Sequence, residues 1–343
     1  MVYRKRRLSR LPFLALSVLL LIATVTGCAG TTADALKTDS GEKKEVTIGY
    51  FPNLTHIATI VALEKGYYEE AFGDQVAIQT KTVNNGGLFM EAMATKAIDI
   101  GTVGPGPVIN FYVKNPDYHI ISGAVNGGAV LVVRGDSGIN DLSQLDGKRI
   151  AIPVIGSTQD VMLRKALQSD GLQTTSNGGT VELFAAAPSD TAPLFLQKSV
   201  DGAATQEPWG GVLEEQADGK LLLDWDAFAW GEESTNTVVV ARNDILADKS
   251  LVRSYLEAHV KAVKYIQKHP AESRQLVIAH IKQLTGKELD EKQLAAAFQR
   301  MRVTSDVNES VIKEMASISK EAGYISEDAI DGLVDLSILN ELK

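Results

Sequence analysis

The chain predicts a two-lobed α/β fold with hinge crossovers between the lobes and a helical C-terminal tail. Three observations carry that reading. Short β-branched runs alternate with helix-period segments from Val46 to Asn243. The alternation restarts near Ala129 with no low-complexity linker between the halves. Beyond Asn243 the β-branched runs give way to amphipathic helical patterns. At 343 residues the chain has the length of one large or two medium domains. Its 45% hydrophobic and 22% charged content is that of a globular protein and excludes wholesale disorder.

Each element follows from its local pattern. The alternating residues at 46–50 predict a strand. Apolar residues at helical spacing predict a helix over 55–65, stopped by Gly66. A strand at 76–83, a helix at 87–96, a strand at 98–103, a helix at 107–114 and a strand at 119–125 complete the first unit. The second unit reads as strands at 129–134, 148–153, 181–187, 202–205, 220–224 and 235–241. Between them lie a helical turn at 141–145 and helices at 158–170 and 192–199. Such alternation predicts mostly parallel sheets with helices on both faces. Residues 250–268 form a long amphipathic helix, ended by His269-Pro270. The rest of the tail, 271–343, reads as helical and is expected to wrap back on the first unit. The chain then crosses between lobes twice, near 125–129 and near 237–242, and makes a hinge. Lobe 1 is expected to hold 46–126 plus 240–343, and lobe 2 to hold 127–239.

Charge is placed unevenly. Arg4, Lys5, Arg6, Arg7 and Arg10 precede an apolar run from Leu11 to Val25, with no acid before Cys28. A basic start, a short apolar run and small residues make an export signal. The run falls short of the ~20 residues of a comfortable membrane span. Val25-Thr26-Gly27-Cys28 resembles a bacterial lipobox. That resemblance implies a signal peptide at 1–27 and lipidation of Cys28, the chain's one cysteine. The other reading is an uncleaved anchor helix with an incidental cysteine. In either case the folded part lies outside the cytoplasm, held to a membrane. Residues 28–45 are small, polar and charged, and read as a flexible tether. A single cysteine allows no internal disulfide. A net charge of −9 excludes nonspecific nucleic-acid binding.

Enzymatic signals are weak. The five histidines form no metal-spaced set, no Gly-x-Ser-x-Gly elbow is present, and Gly104-Pro105-Gly106-Pro107 lacks the Lys-Ser/Thr of a phosphate loop. Neither a metal nor another cofactor is expected, and a binder is favoured over an enzyme. Four polar turns, two in each unit, follow a strand and precede a helix. They are 50–56 with Asn53 and His56, 104–107, 156–160 with Ser157, Thr158 and Gln159, and 205–209 with Gln206, Glu207 and Trp209. In open α/β sheets ligands bind beyond the carboxyl ends of the strands, where helix N-termini offer free N–H groups to an anion. Taken singly, Thr55, Ser157 and Thr158 are ordinary N-caps and Trp209 is ordinary core. Protonated His56 would add attraction for an anion as pH falls through about 6.5.

At these residues the chain resembles the solute-binding proteins of bacterial ABC importers, in their nitrate/taurine/aliphatic-sulfonate class. The carrying stretches are IGYFPNLTH at 48–56, KAIDIGTVGPGPVINFY at 96–112, SGAVNGGAVLVVR at 122–134, DLSQLDGKRIAIPVIGSTQD at 141–160 and DGAATQEPWGGVL at 201–213. The resemblance runs from Val46 to about Pro270 and more loosely to Lys343. It implies a periplasmic-binding-protein-like fold of type II that closes on a small anionic solute and presents it to a permease with its ATPase. It implies ligand contacts from Asn53, His56 and the backbone of Gly104, Pro105 and Gly106 in the first lobe. From the second lobe it implies Ser157, Thr158, Gln159, Gln206, Glu207 and Trp209. A carboxylate facing an anion is repulsive, so Glu207 is expected to hold backbone amides or a ligand amine, which would suit taurine. No arginine or lysine lies within the four turns. An aliphatic sulfonate or taurine-like compound leads; nitrate, or a pyrimidine thiamin precursor stacked on Tyr50, Phe51 and Trp209, is the alternative. An enzyme on the same fold, or a surface lipoprotein without a ligand, are the other classes. A monomer is expected.

Overall fold

The computed structural model describes residues 43–286 and 289–343. The expected signal peptide and Cys28 lie outside the described residues. Lys44 and Glu45, placed in the tether by sequence, already pair with Val76 and Ala77. No described helix is long and apolar enough to cross a membrane.

The first lobe opens with β1 (Lys44–Tyr50), α1 (Ile57–Glu64), α2 (Tyr67–Phe72), β2 (Val76–Thr82), α3 (Gly86–Ala94), β3 (Ile100–Val103), α4 (Pro105–Tyr112) and β4 (Tyr118–Gly127). The second holds β5 (Ala129–Arg134), β6 (Arg149–Ile152), α5 (Thr158–Ser169), β7 (Glu182–Ala185), α6 (Thr191–Leu196), β8 (Gly202–Gln206), α7 (Trp209–Gln216) and β9 (Gly219–Leu223). The chain returns through β10 (Thr235–Arg242), α8 (Asn243–Leu246), α9 (Lys249–Lys268), α10 (Pro270–Thr285), α11 (Glu291–Gln299), β11 (Met301–Val303), α12 (Glu309–Glu321) and α13 (Ser337–Asn340).

The strands form a six-stranded sheet, β11-β4-β10-β3-β1-β2, and a five-stranded sheet, β7-β6-β8-β5-β9. Both are mixed rather than mostly parallel. Strand β10 runs antiparallel to β3 and β4, and β5 runs antiparallel to β8 and β9. Side chains alternate across each sheet, as the period of two requires. Val239 and Ala241 join one core, and Val238 and Val240 the core on the other face. Leu131 and Val133 likewise oppose Val130 and Val132 in the second lobe. Helices therefore cover both faces of both sheets.

The second crossover lies earlier than the sequence indicated. The whole of β10 belongs to the first sheet, so the chain crosses within 224–234 and not near 237–242. A β-branched strand fits either sheet by its own pattern; its antiparallel partners β3 and β4 decide the matter. The first crossover is at Gly127 and Gly128, both left-handed at φ 69° and 71°. A Cβ on Gly127 would stand 2.2 Å from the Trp225 ring, so glycine is required there. Gly127 N–H donates to Ser234 O at 2.8 Å, tying the two crossovers together.

The tail does return to lobe 1. Helix α9 buries Leu251, Val252, Tyr255, Leu256, Val263 and Ile266 against α1 and α2. The tail also contains a strand that the helical reading missed, β11, at the edge of the first sheet. Two tail helices touch lobe 2 as well: α11 packs on α7, and α12 packs on α5.

Candidate functional site

The turns that follow strands meet in a polar cleft between the lobes. Its walls include Phe51, Asn53, His56, Gly104, Ser157, Thr158, Gln159 and Gln206. Of the wall residues outside the four turns, Asn84, Asn85 and Asn236 carry side-chain amides. No lysine or arginine among the described residues lines it. The cleft leaves ≈ 30 Å³ for the centres of water-sized groups, room for about two waters. The lobes touch across it, with Asn110 Nδ2 donating to Gly156 O at 3.0 Å and Gln159 Nε2 to Asn236 Oδ1 at 3.0 Å.

The capping chemistry decides what the cleft can bind. Asn53 Oδ1 caps the turn Leu54–His56, accepting from Thr55 N and Thr55 Oγ1 at 3.0 and 2.8 Å. Its Nδ2 is left over. Ser157 Oγ caps α5 by accepting from Asp160 N at 3.3 Å, which leaves its O–H. Thr158 Oγ1 accepts from Gly106 N at 3.2 Å, which leaves another. Asn236 gives its oxygen to Gln159, and its Nδ2 is buried without a partner. At these four side chains acceptors are consumed by the fold and donors remain. Gln206 Oε1 is buried and unpartnered, and the exposed Asn84 amide makes no side-chain hydrogen bond among the described residues; turning either amide over exchanges acceptor for donor.

Two helix N-termini add backbone donors. Helix α3, capped by Asn85, presents Gly86 and Gly87; helix α5 presents Thr158 and Gln159. The third terminus, α4, offers nothing of the kind, which corrects the contact expected from the Gly104–Gly106 backbone. Pro105 and Pro107 have no N–H, and Gly106 spends its own on Thr158. Gly104 lines the cleft, whereas Pro105 and Gly106 do not.

Glu207 is also corrected. It is fully buried but turned from the cleft, with Oε1 2.8 Å from Arg300 Nη1 and Oε2 accepting from Gly211 N at 3.1 Å. The backbone amide is as expected; a ligand amine is not served, and taurine loses its particular support. Trp209 lines not this cell but an outer chamber of ≈ 360 Å³ on the same measure. Phe51, Pro52, Val83, Pro188 and Ile281 line that chamber with it. The two spaces share Phe51, Asn53, Asn84 and Gln206.

His56 is buried, stacked on Phe51 at 4.4 Å, with Nδ1 2.8 Å from Thr102 Oγ1. Burial pushes its imidazole down to about 3. The expected gain of a proton near pH 6.5 therefore does not occur, and His56 acts as a neutral ring.

The missed residues had a signal. Val83-Asn84-Asn85-Gly86-Gly87 is a strand-end turn with an N-cap asparagine, as typical as the turns that were noticed. Asn236 interrupts a β-branched run, which is visible in sequence, but its place at the cleft depends on the sheet that takes β10.

A donor-rich cleft between two crossover-linked α/β lobes defines the periplasmic-binding-protein class of fold. A family model described as the NMT1-like family matches residues 39–282, and the chain belongs to that family. A Brucella abortus (strain 2308) protein named only as a binding protein is 26% identical over 59% of this chain; the chain spans 60% of that relative's length. A Bacillus subtilis (strain 168) protein named for binding aliphatic sulfonates is 26% identical, covering 93% of this chain and 92% of its own. Among solved structures, the alkanesulfonate-binding protein SsuA of Xanthomonas axonopodis pv. citri, bound to MOPS, superposes with a TM-score of 0.73 at 19% identity, over 86% of this chain and 99% of its own. The nitrate-binding protein NrtA of Synechocystis PCC 6803 gives 0.70 at 14% identity, over 88% of each.

Proposed function

We propose that the protein is the solute-binding component of an ABC importer, held outside the cytoplasm by lipid on Cys28, and that its solute joins a compact oxyanion head to an apolar tail. One observation carries this reading: a cell lined by no cation among the described residues, with most of its spare valences donors, opens into a mostly apolar chamber. An oxyanion such as a sulfonate accepts from several donors without needing a cation. A chain or ring on it would lie against Trp209, Phe51 and Ile281. The names of the Bacillus subtilis and Xanthomonas proteins support the sulfonate class. A binder rather than an enzyme suits the cleft, since its histidine engages Nδ1 with Thr102, a wholly buried hydroxyl that does not line the cleft. A permease with its ATPase would be the partner.

Alkanesulfonates of increasing length test this. Hexanesulfonate is expected to raise the melting temperature more than ethanesulfonate, with affinity rising up to about fourfold per methylene buried. At a hundredfold excess over Kd the stabilisation is about 2.7 kcal/mol. Taurine and nitrate, which leave the chamber empty, are expected to bind more weakly. A second reading, a pyrimidine stacked between Phe51 and Trp209, is favoured by those two rings in the chamber. It wins if a hydroxymethylpyrimidine shifts melting and no sulfonate does.

The pH response is a separate expectation. With His56 neutral down to about 3, affinity for hexanesulfonate should be the same within about twofold at pH 5.5 and 8. Isothermal titration at both values decides it; tighter binding at pH 5.5 would restore a protonated histidine to the site.

A further inference from the structure

His56 reaches out of the cleft into a buried line of hydroxyls. Its Nδ1 lies 2.8 Å from Thr102 Oγ1, and Thr102 Oγ1 lies 3.0 Å from Thr59 Oγ1. Thr59 and Thr102 are wholly buried. Beyond Thr59 stand the hydroxyls of Tyr68 and Tyr255, buried beside it and beside each other. Neither phenol oxygen has a partner in hydrogen-bond geometry among the described residues.

The protons in such a line can point only one of two ways. If they point toward the histidine, Thr59 donates to Thr102, and Thr102 donates to Nδ1. Both threonine protons are then used. If they point away, His56 donates from Nδ1, Thr102 donates to Thr59, and the Thr59 proton is left with no acceptor in hydrogen-bond geometry among the described residues. A buried donor left unmade costs about 1–3 kcal/mol. Phenolic oxygens are also poor acceptors, which further disfavours the outward order. The ring nitrogen that accepts fixes which nitrogen carries hydrogen.

We propose that the buried Thr59–Thr102 hydroxyl line holds His56 as its Nε2–H tautomer, so that a neutral histidine presents a donor to the oxyanion head. Thr102 and Thr59 are thus positioning residues for binding. The consequence for affinity rests on the oxyanion reading above, but the tautomer does not.

The test uses the ligand-free protein labelled with ¹⁵N-histidine, with His56→Gln assigning the resonance. The expected spectrum shows His56 protonated at Nε2 and bare at Nδ1. Thr102→Val is expected to convert it to a tautomer mixture and to weaken hexanesulfonate binding about three- to tenfold. Thr102→Ser, which keeps the hydroxyl, should restore both. A wild-type ring protonated at Nδ1 overturns the proposal, as does a pure Nε2–H ring in Thr102→Val. Failure of every sulfonate to bind, with the tautomer as expected, would sink the oxyanion reading and leave the tautomer assignment in place.

Discussion

Arg300→Ala is expected to destabilise the fold by about 3–5 kcal/mol, because it strands a buried carboxylate. Arg300 follows α11 in the tail, yet its Nη1 lies 2.8 Å from Glu207 Oε1 and 2.6 Å from Glu214 Oε2. Its carbonyl accepts from Gly128 N at 2.7 Å, and Gly128 O in turn accepts from Glu207 N at 2.8 Å. One residue therefore joins the tail, the first crossover and the strand end that carries Gln206. Glu207 is 0% exposed, whereas Glu214 and Asp224 are partly open to water and matter less. Burial raises the Glu207 pKa above the ordinary carboxyl range, and Arg300 pulls it part of the way back. Burial opposes the charge on Arg300 too, but Glu214 and Glu207 outweigh it and hold the guanidinium more firmly protonated. The sign for pH follows. A raised carboxyl contributes most to stability when protonated and loses that contribution as pH rises through its folded pKa. Without Arg300 the pKa rises further and the loss deepens. The gap between wild type and Arg300→Ala should thus be widest at pH 8 and narrow as pH falls toward the raised Glu207 value. Urea denaturation across that range measures it, and Glu207→Gln added to Arg300→Ala should recover part of the loss. A gap that does not change with pH would mean that Glu207 is not the stranded charge.

How much of this could be read from the sequence depended on whether the information was local. The alternation that predicts β4, β5 and β10 is local, as is the spacing that buries one face of α9, and both match the structure within a few residues. The N-cap role of Ser157 is local too, although the cap expected at Thr55 falls two residues earlier, on Asn53, and Thr158 is the first residue of α5 and not its cap. What failed was long-range. Thr235–Arg242 reads as a strand from its own residues, but only pairing with β3 and β4 puts it in lobe 1 and brings Asn236 to the cleft. The resemblance placed Glu207 at the ligand together with Gln206, but only Gln206 lines the cleft. In a strand end, neighbours face opposite ways, and the partner that fixes Glu207 comes from Arg300, |i−j| = 93 away. The His56 environment has the same character. Thr59 and Thr102 are separated from it by too little pattern for sequence to reveal a buried hydroxyl line. The motif at 104–107 misled for a different reason: its two prolines remove the very N–H groups that an anion at a helix terminus needs.

Tyr324→Phe and Asp160→Ala are expected to separate closure from folding at the other side of the cleft. Asp160, 0% exposed, sits one turn into α5 behind Ser157, Thr158 and Gln159. Its Oδ1 accepts from Arg164 Nε at 2.9 Å, and its Oδ2 accepts from Gly156 N at 2.8 Å and from the Tyr324 hydroxyl at 2.5 Å. Arg164 donates to the same hydroxyl at 2.6 Å. Tyr324 belongs with lobe 1, since Leu333 and Asp335 just beyond it hydrogen-bond to Ile120 of β4. The phenol therefore spans the lobes, docking on the helix whose N-terminus would hold the solute. Asp160→Ala leaves Arg164 with neutral partners only, Thr174, Ser176, Asn177 and Tyr324, and should cost about 3–5 kcal/mol of stability. Tyr324→Phe keeps the Asp160–Arg164 pair and should cost only about 1.5 kcal/mol, the low end for a hydrogen bond to a charged group. That contact should break if the lobes part. A solute that binds the closed form should therefore lose affinity by a similar factor, about tenfold. Titration with hexanesulfonate gives the first number and urea denaturation the second. Unchanged affinity in Tyr324→Phe would show that the phenol stays docked on α5 with or without solute, and that the lobes close by hinging elsewhere.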